Sequence, residues 1–242
     1  LDTVSAIVAE RLGRSTGASD TELDVLVASA LTMNISIFDI QDQLQHHPDP
    51  LTSTQLNLIR DHPAASVRLL QAAGISNAIW LDTVHHHHEA HDGSGYPLGR
   101  SHDEIPLFAR LVHMSDLYCA KVAPRHYRRA QASAIALREL LLKRGHSVSA
   151  HIAAHLLRLI GLYPPGTLVR LANGAIAMVT RTTDHPGEPD VACLVDAEGN
   201  VYDPPQLCET DDPAYHIIES LDPYTLEAPI NPSDLWNLPP QP

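Results

Sequence analysis

A change of periodicity at Gly161-Leu162-Tyr163-Pro164-Pro165-Gly166 divides this 242-residue chain into two kinds of polypeptide. Ahead of the break, apolar residues recur at helical spacing: Val4, Val8 and Leu12, then Leu23, Val27 and Leu31. Pro106 suits the first turn of a helix, with Leu107, Leu111 and Met114 along one face and Asp116 pointing elsewhere. Further helices are expected from Ala132 to Arg144, closed by a left-handed Gly145, and from about Val148 to Ile160. Beyond the break, Thr167 to Ala172 and Ala175 to Thr182 read as strands joined by Asn173-Gly174, a two-residue hairpin signal. Val191 to Asp196 and Val201-Tyr202 flank a second turn at Glu198-Gly199-Asn200. The expected fold is therefore mainly α: a helical domain over 1–160, a small β-rich subdomain over 165–222, and a proline-rich tail over 223–242. Six prolines keep that tail from regular structure, so it is either a docked arm or loose. The β-rich part carries no recognisable chemistry, and a structural or dimerising role is expected of it.

Composition narrows the function classes. A hydrophobic content of 44% excludes general disorder, and no apolar run approaches the ~18 residues that span a bilayer. A net charge of −13 argues against DNA or general nucleic-acid binding, which needs a basic face. A small anionic ligand is still allowed where basic residues cluster, as Lys121, Arg125, Arg128 and Arg129 do; the blander reading is a solvated helix end. Three widely spaced cysteines, Cys119, Cys193 and Cys208, read as reduced, buried thiols in a cytoplasmic protein rather than as a redox device. The chain opens at Leu1 without a methionine or signal-peptide pattern, so an upstream sensory or receiver domain is expected.

The densest chemistry lies between 87 and 97: His87-His88-Glu89-Ala90-His91-Asp92-Gly93-Ser94-Gly95-Tyr96-Pro97. Neutral imidazoles bind transition metals, and a Gly-Ser-Gly turn lets backbone approach a ligand closely. Read alone, this is a metal site beside an anion pocket. His85, His86 and His91 read as polar helix-surface residues, although His87 and His91 would share a helix face at i, i+4 and make His91 a stray ligand. Glu89 reads as a carboxylate that orients a liganding histidine, or as a solvated helix carboxylate. His46 and His47, beside Pro48-Asp49-Pro50, read as solvated loop.

His87-His88-Glu89 and Asp92-Gly93-Ser94-Gly95-Tyr96-Pro97 resemble the signature of HD-GYP domains, bacterial phosphodiesterases that open cyclic di-GMP. The resemblance runs on through Asp61-His62-Pro63, Ile105-Pro106-Leu107, Ala109-Arg110-Leu111, Ser115-Asp116 and Arg125-His126-Tyr127-Arg128, and covers roughly residues 1–160. It implies an HD-type helical bundle. It also implies metal ligands at His62, His87, His88 and Asp116, phosphate contacts at Arg125 and Arg128, and a pocket aromatic at Tyr96. Arginine's planar fork suits paired phosphate oxygens. In the family, the loop represented here by Gly95, Tyr96 and Pro97 is implicated in docking diguanylate cyclase domains.

One block departs from the pattern. Where the family has a histidine and an aspartate followed by a lysine, this chain has Met33, Asn34 and Ile37. An aspartate there bridges two metals; an asparagine offers one neutral carbonyl oxygen and a donor end, and a thioether suits hard or borderline cations poorly. The further glutamate of some members would fall near Ala6, with Glu10 a weak substitute. The expectation is at most one divalent metal (iron, manganese, zinc or nickel), or none. Loss of the second metal's charge stabilisation lowers hydrolysis by on the order of three decades. The leading expectation is a degenerate module acting as a cyclic di-GMP receptor or docking element. The alternatives are an active phosphodiesterase yielding pGpG or GMP, and a purely structural partner of a cyclase or receiver domain. A homodimer is compatible with either.

Overall fold

Small side chains, not large ones, decide how the first helices meet. In the computed structural model, which describes residues 2–40, 52–122, 133–222 and 235, α1 is Asp2–Ser15 and α2 is Asp20–Thr32. The face of α1 that is buried carries Ser5, Ala6, Ala9, Leu12 and Gly13. A Cβ on Gly13 would meet Leu26 Cδ2 at 2.6 Å, so α2 comes close because nothing projects there. This corrects the Val4-Val8-Leu12 stripe, since Val4 is 52% exposed. Likewise α2 turns Leu23, Leu26 and Ala30 inward and leaves Leu31 out. Hydrophobicity located these helices, but close approach selected their faces.

After α2 the chain makes a 3-10 turn at Ile35–Ile37 and enters α3, Ser53–Ala72, through a capping box of Thr52 and Gln55. Helices α4, Ala78–His86, and α5, Leu107–Val122, follow. On α5 the buried face is Phe108, Leu111, Val112, Ser115, Tyr118 and Cys119; Leu107, expected on it, is exposed. Helices α6, Ser133–Leu142, and α7, Ala150–Ile160, fall where the sequence predicts helix. The stretch Asp20–Ile40 is long and apolar enough to cross a membrane by length and composition, with mean hydropathy 1.6, against the expectation that no run would be. That expectation counted unbroken apolar residues, whereas here polar ones are interspersed. Part of the stretch is core, with Leu26, Ala30 and Met33 fully buried.

Packing divides the chain into one unit of Leu1–Gln131 with Arg138–His155, and a second of Ala132–Leu137 with Leu156–Pro242. The second contains a five-stranded antiparallel sheet in the order β4-β3-β2-β1-β5. Its strands are β1 Leu168–Leu171, β2 Ile176–Arg181, β3 Asp190–Val195, β4 Val201–Glu209 and β5 Ile217–Ser220. The predicted Asn173-Gly174 turn joins β1 to β2, with Gly174 at φ 87° as such a turn requires. β4 runs past Tyr202 through Pro204-Pro205, longer than expected, because an edge strand tolerates residues that cannot donate to a ladder. One sheet face packs Val169, Leu171, Ala177, Val179, Val191, Cys193 and Cys208 together; the other packs Leu168, Ala192 and Leu194 with Leu235. Of the proline-rich tail, only Leu235 is among the described residues, and it is 3% exposed. The mainly α fold with a small β-rich C-terminal part stands as read from the sequence.

Candidate metal centre

The site is built from helix interruptions. Pro63 sits inside α3 and has no N–H, so the carbonyl of Ile59, four residues earlier, lacks its usual helical donor. The adjacent His62 ring takes that place, with Nδ1 2.6 Å from Ile59 O. At the C-terminus of α4, orphan carbonyls need donors, and His87 Nδ1 lies 2.7 Å from Val84 O. A carbonyl accepts only from a protonated nitrogen, which assigns the Nδ1–H tautomer to both rings. Their Nε2 atoms then carry lone pairs, and these face one another at 3.1 Å.

Two lone pairs at that separation repel unless something positive lies against both. A proton is disfavoured there. Burial, then the neighbouring His62, pushes the His87 imidazole down to about 3, and burial lowers His62 as well. His88 is lowered far by burial and by His87 and His62. Buried imidazoles kept neutral with converging lone pairs are what a divalent cation requires. Ligand atoms of His62, His87 and His88 all lie within 4.8 Å of one another, so the residues present fit a metal. The centroid of His88 is 4.9 Å from that of His62 and 4.1 Å from that of His87.

Other predicted residues fall at varying remove. Asp116 on α5 is half-buried and stands outside that group of three; its charge and, above all, burial raise the Tyr96 phenol. Tyr96 stacks on His88 with centroids 4.7 Å apart and planes 25° from parallel. Gly95, Tyr96 and Pro97 are half-buried. Arg125 and Arg128 lie outside the described residues, as do His46 and His47; Lys121 ion-pairs with Glu139.

Glu89 corrects its expectation. Only 1% exposed, it neither orients a histidine nor meets solvent: Oε1 accepts from Leu98 N at 2.7 Å and Oε2 from Arg100 N at 2.9 Å. It organises the loop by satisfying two backbone donors. Tyr96 N donates to His88 O at 3.1 Å, and a Cβ on Gly95 would collide with Ala90 N, His88 O and Glu89 Cα. Only glycine lets the loop lie this close. The shared helix face of His87 and His91 is also corrected, because α4 ends at His86. His91 instead packs against His102, with ring centroids 4.4 Å apart and planes 48° from parallel, and its backbone N–H donates to Ser147 O. His86, expected on the surface, is 2% exposed and caps Asp82 O at 2.8 Å. His113, not singled out in the sequence, holds the His87 carbonyl through Nδ1 at 2.9 Å.

Of the block Met33, Asn34 and Ile37, Met33 is fully buried, Asn34 is 5% exposed and Ile37 lies in the 3-10 turn. This segment abuts the histidines, since Ser36 Oγ donates to His62 O at 3.0 Å. Asn34 Nδ2 donates to Asp2 Oδ1 at 3.1 Å. Asp2 was not anticipated, and no periodicity marks it; its carboxyl is raised by burial, opposed by the Asn34 hydrogen bond, and its Oδ2 is buried without a hydrogen-bond partner among the described residues. Ala6 is buried, and Glu10 lies on the surface paired with Arg14 at 2.7 Å.

Residues 2–151 match the family model described as HD domain. The chain belongs to the HD domain family. It is 32% identical over 151 residues to the cyclic di-GMP phosphodiesterase PA4108 of Pseudomonas aeruginosa, covering 62% of this chain and 36% of that protein. It is 32% identical over 158 residues to the cyclic di-GMP phosphodiesterase response regulator RpfG of Xanthomonas campestris pv. campestris, covering 64% and 40%. A solved cyclic GMP-AMP-specific phosphodiesterase of Vibrio cholerae superposes with TM-score 0.52 at 14% identity, over 66% of this chain and 43% of that one. An HD-GYP-type protein of Bdellovibrio bacteriovorus, Bd1817, superposes with TM-score 0.50 at 17% identity, over 64% and 49%. The HD-GYP resemblance read from the motifs is borne out. This HD chain spans well under half the length of these curated relatives.

Proposed function

We propose that this HD chain is a cytoplasmic cyclic di-GMP signalling module with impaired phosphodiesterase chemistry, acting as a nucleotide receptor or docking element. The observation that carries this is the state of position 34. Where a bridging carboxylate is needed, an amide donates its N–H to Asp2, in a segment whose Ser36 bonds the backbone of His62, one of three imidazoles able to hold one ion. His62, His87 and His88 would hold a single divalent ion of iron, manganese, zinc or nickel, with Asp116 assisting. An ion there supplies charge stabilisation for a phosphate oxygen and acidifies water. The chain's own residues do the rest. Tyr96, kept as a neutral phenol by burial, offers a hydroxyl donor next to His88. Arg125 and Arg128 supply the phosphate forks. Gly95-Tyr96-Pro97, held by Glu89, presents a surface for a diguanylate cyclase domain, and an upstream sensory or receiver domain would set the response.

Metal counting on protein purified without an affinity tag, paired with cyclic di-GMP binding and conversion to pGpG or GMP, tests this. About one equivalent of metal, micromolar binding and turnover depressed by on the order of three decades are expected. Two equivalents with rapid turnover would overturn the reading, and absence of micromolar binding would leave docking alone. One observation favours the active alternative: Asp2 brings a buried carboxylate against Asn34, its Oδ2 without a hydrogen-bond partner among the described residues. Asp2→Asn decides between them, since it leaves metal content unchanged in the impaired module and lowers it in a rebuilt one.

A further inference from the structure

The sheet holds a feature that the histidine centre does not use. Strands β3 and β4 pair with Val191 opposite Cys208 and Cys193 opposite Gln206, so the two cysteines are diagonal neighbours on one sheet face. Their Sγ atoms are 3.0 Å apart, about an ångström beyond a bonded S–S length of roughly 2.05 Å. Both belong to the same buried cluster, at 2% and 6% exposure. Cys208 lies on the edge strand, and Tyr215 packs against the same cluster. Either sulfur can donate to the other. Cys208, on the edge strand and the more exposed of the two, is the one a co-substrate meets first, with Cys193 beside it to resolve a mixed disulfide, as in dithiols that exchange.

We propose that Cys193 and Cys208 are a thiol–disulfide exchange site that forms a reversible cross-strand disulfide with a disulfide co-substrate of the glutathione or thioredoxin class. The Cys208 thiolate attacks one sulfur of the co-substrate, forming a mixed disulfide and releasing the other sulfur as a thiolate. Cys193 then loses its proton to solvent and attacks Cys208 Sγ, expelling the second thiolate. Two cysteine thiols and one disulfide become one protein disulfide and two free thiols; the cysteines lose two electrons and the co-substrate gains them. The bond pins edge strand β4 to β3 across a 15-residue separation.

Incubation of the whole chain with graded ratios of oxidised to reduced glutathione, followed by acid quench, unfolding and peptide mapping, tests the proposal. Of three thiols, one is expected to remain after oxidation, with a cross-linked peptide joining Cys193 to Cys208 and reversal by reduced glutathione. Cys193→Ser should trap glutathione on Cys208, and Cys119→Ser should form the cross-link as the unaltered chain does. Three free thiols in fully oxidised glutathione, or cross-links that involve Cys119 as often, would overturn it. Cys119→Ser keeps the question decidable if Cys193→Ser fails to fold.

Discussion

The two flanks of the candidate centre are made to opposite rules. On the His62-His87-His88 flank, each of two imidazoles spends its Nδ1–H on a carbonyl that a helix interruption has freed, and so points a lone pair inward. On the Met33-Asn34-Ile37 flank, the polar group is turned toward Asp2 and the rest is apolar core. The first flank bears the cost of leaving lone pairs facing each other at 3.1 Å; the second has settled its polar group in a hydrogen bond.

His87→Ala strikes the first flank hardest. Metal affinity should fall at least about a hundredfold, more than loss of an outer partner causes, as read by metal titration. Unchanged affinity would dissolve the contrast. Glu89→Ala removes the acceptor of two part-buried backbone N–H groups and should cost about 2 kcal/mol in urea unfolding, with Tyr96 leaving His88. The double change Met33→His with Asn34→Asp should convert the second flank toward the first and raise metal content by about one equivalent. No rise would mean that these positions do not face the centre.

Acid provides the gentlest probe. The folded His87 value of about 3 lies below its ordinary 6.5, so between these the unfolded chain binds more protons and stability rises with pH. Unfolding midpoints of metal-free protein should therefore drop as pH falls from about 6.5 toward 3, with no further loss from this group below that. His62, His88 and His113 are lowered by burial and act in the same direction. A flat profile across that window would show the imidazoles to be solvated.

Much of this was legible beforehand. Asn173-Gly174 needed only backbone sterics, and His62, His87 and His88 needed only residue type and spacing. Glu89 and Asp2 were not legible as what they are, because a carboxylate's partners here are backbone amides and an amide distant in sequence. The buried face of α1 was misread for a related reason: contact distance between helices, set by Gly13, outweighed the bulk of Val4.

Taken alone, the order of residues determined which atoms can donate, accept or carry charge, and so that position 34 offers an amide and not a carboxylate. Only tertiary structure decided which lone pairs meet, that Asp2 answers Asn34, and that Cys193 meets Cys208. Those pairings join groups from separate helices or strands, and their distances arise from how the elements pack rather than from any local preference.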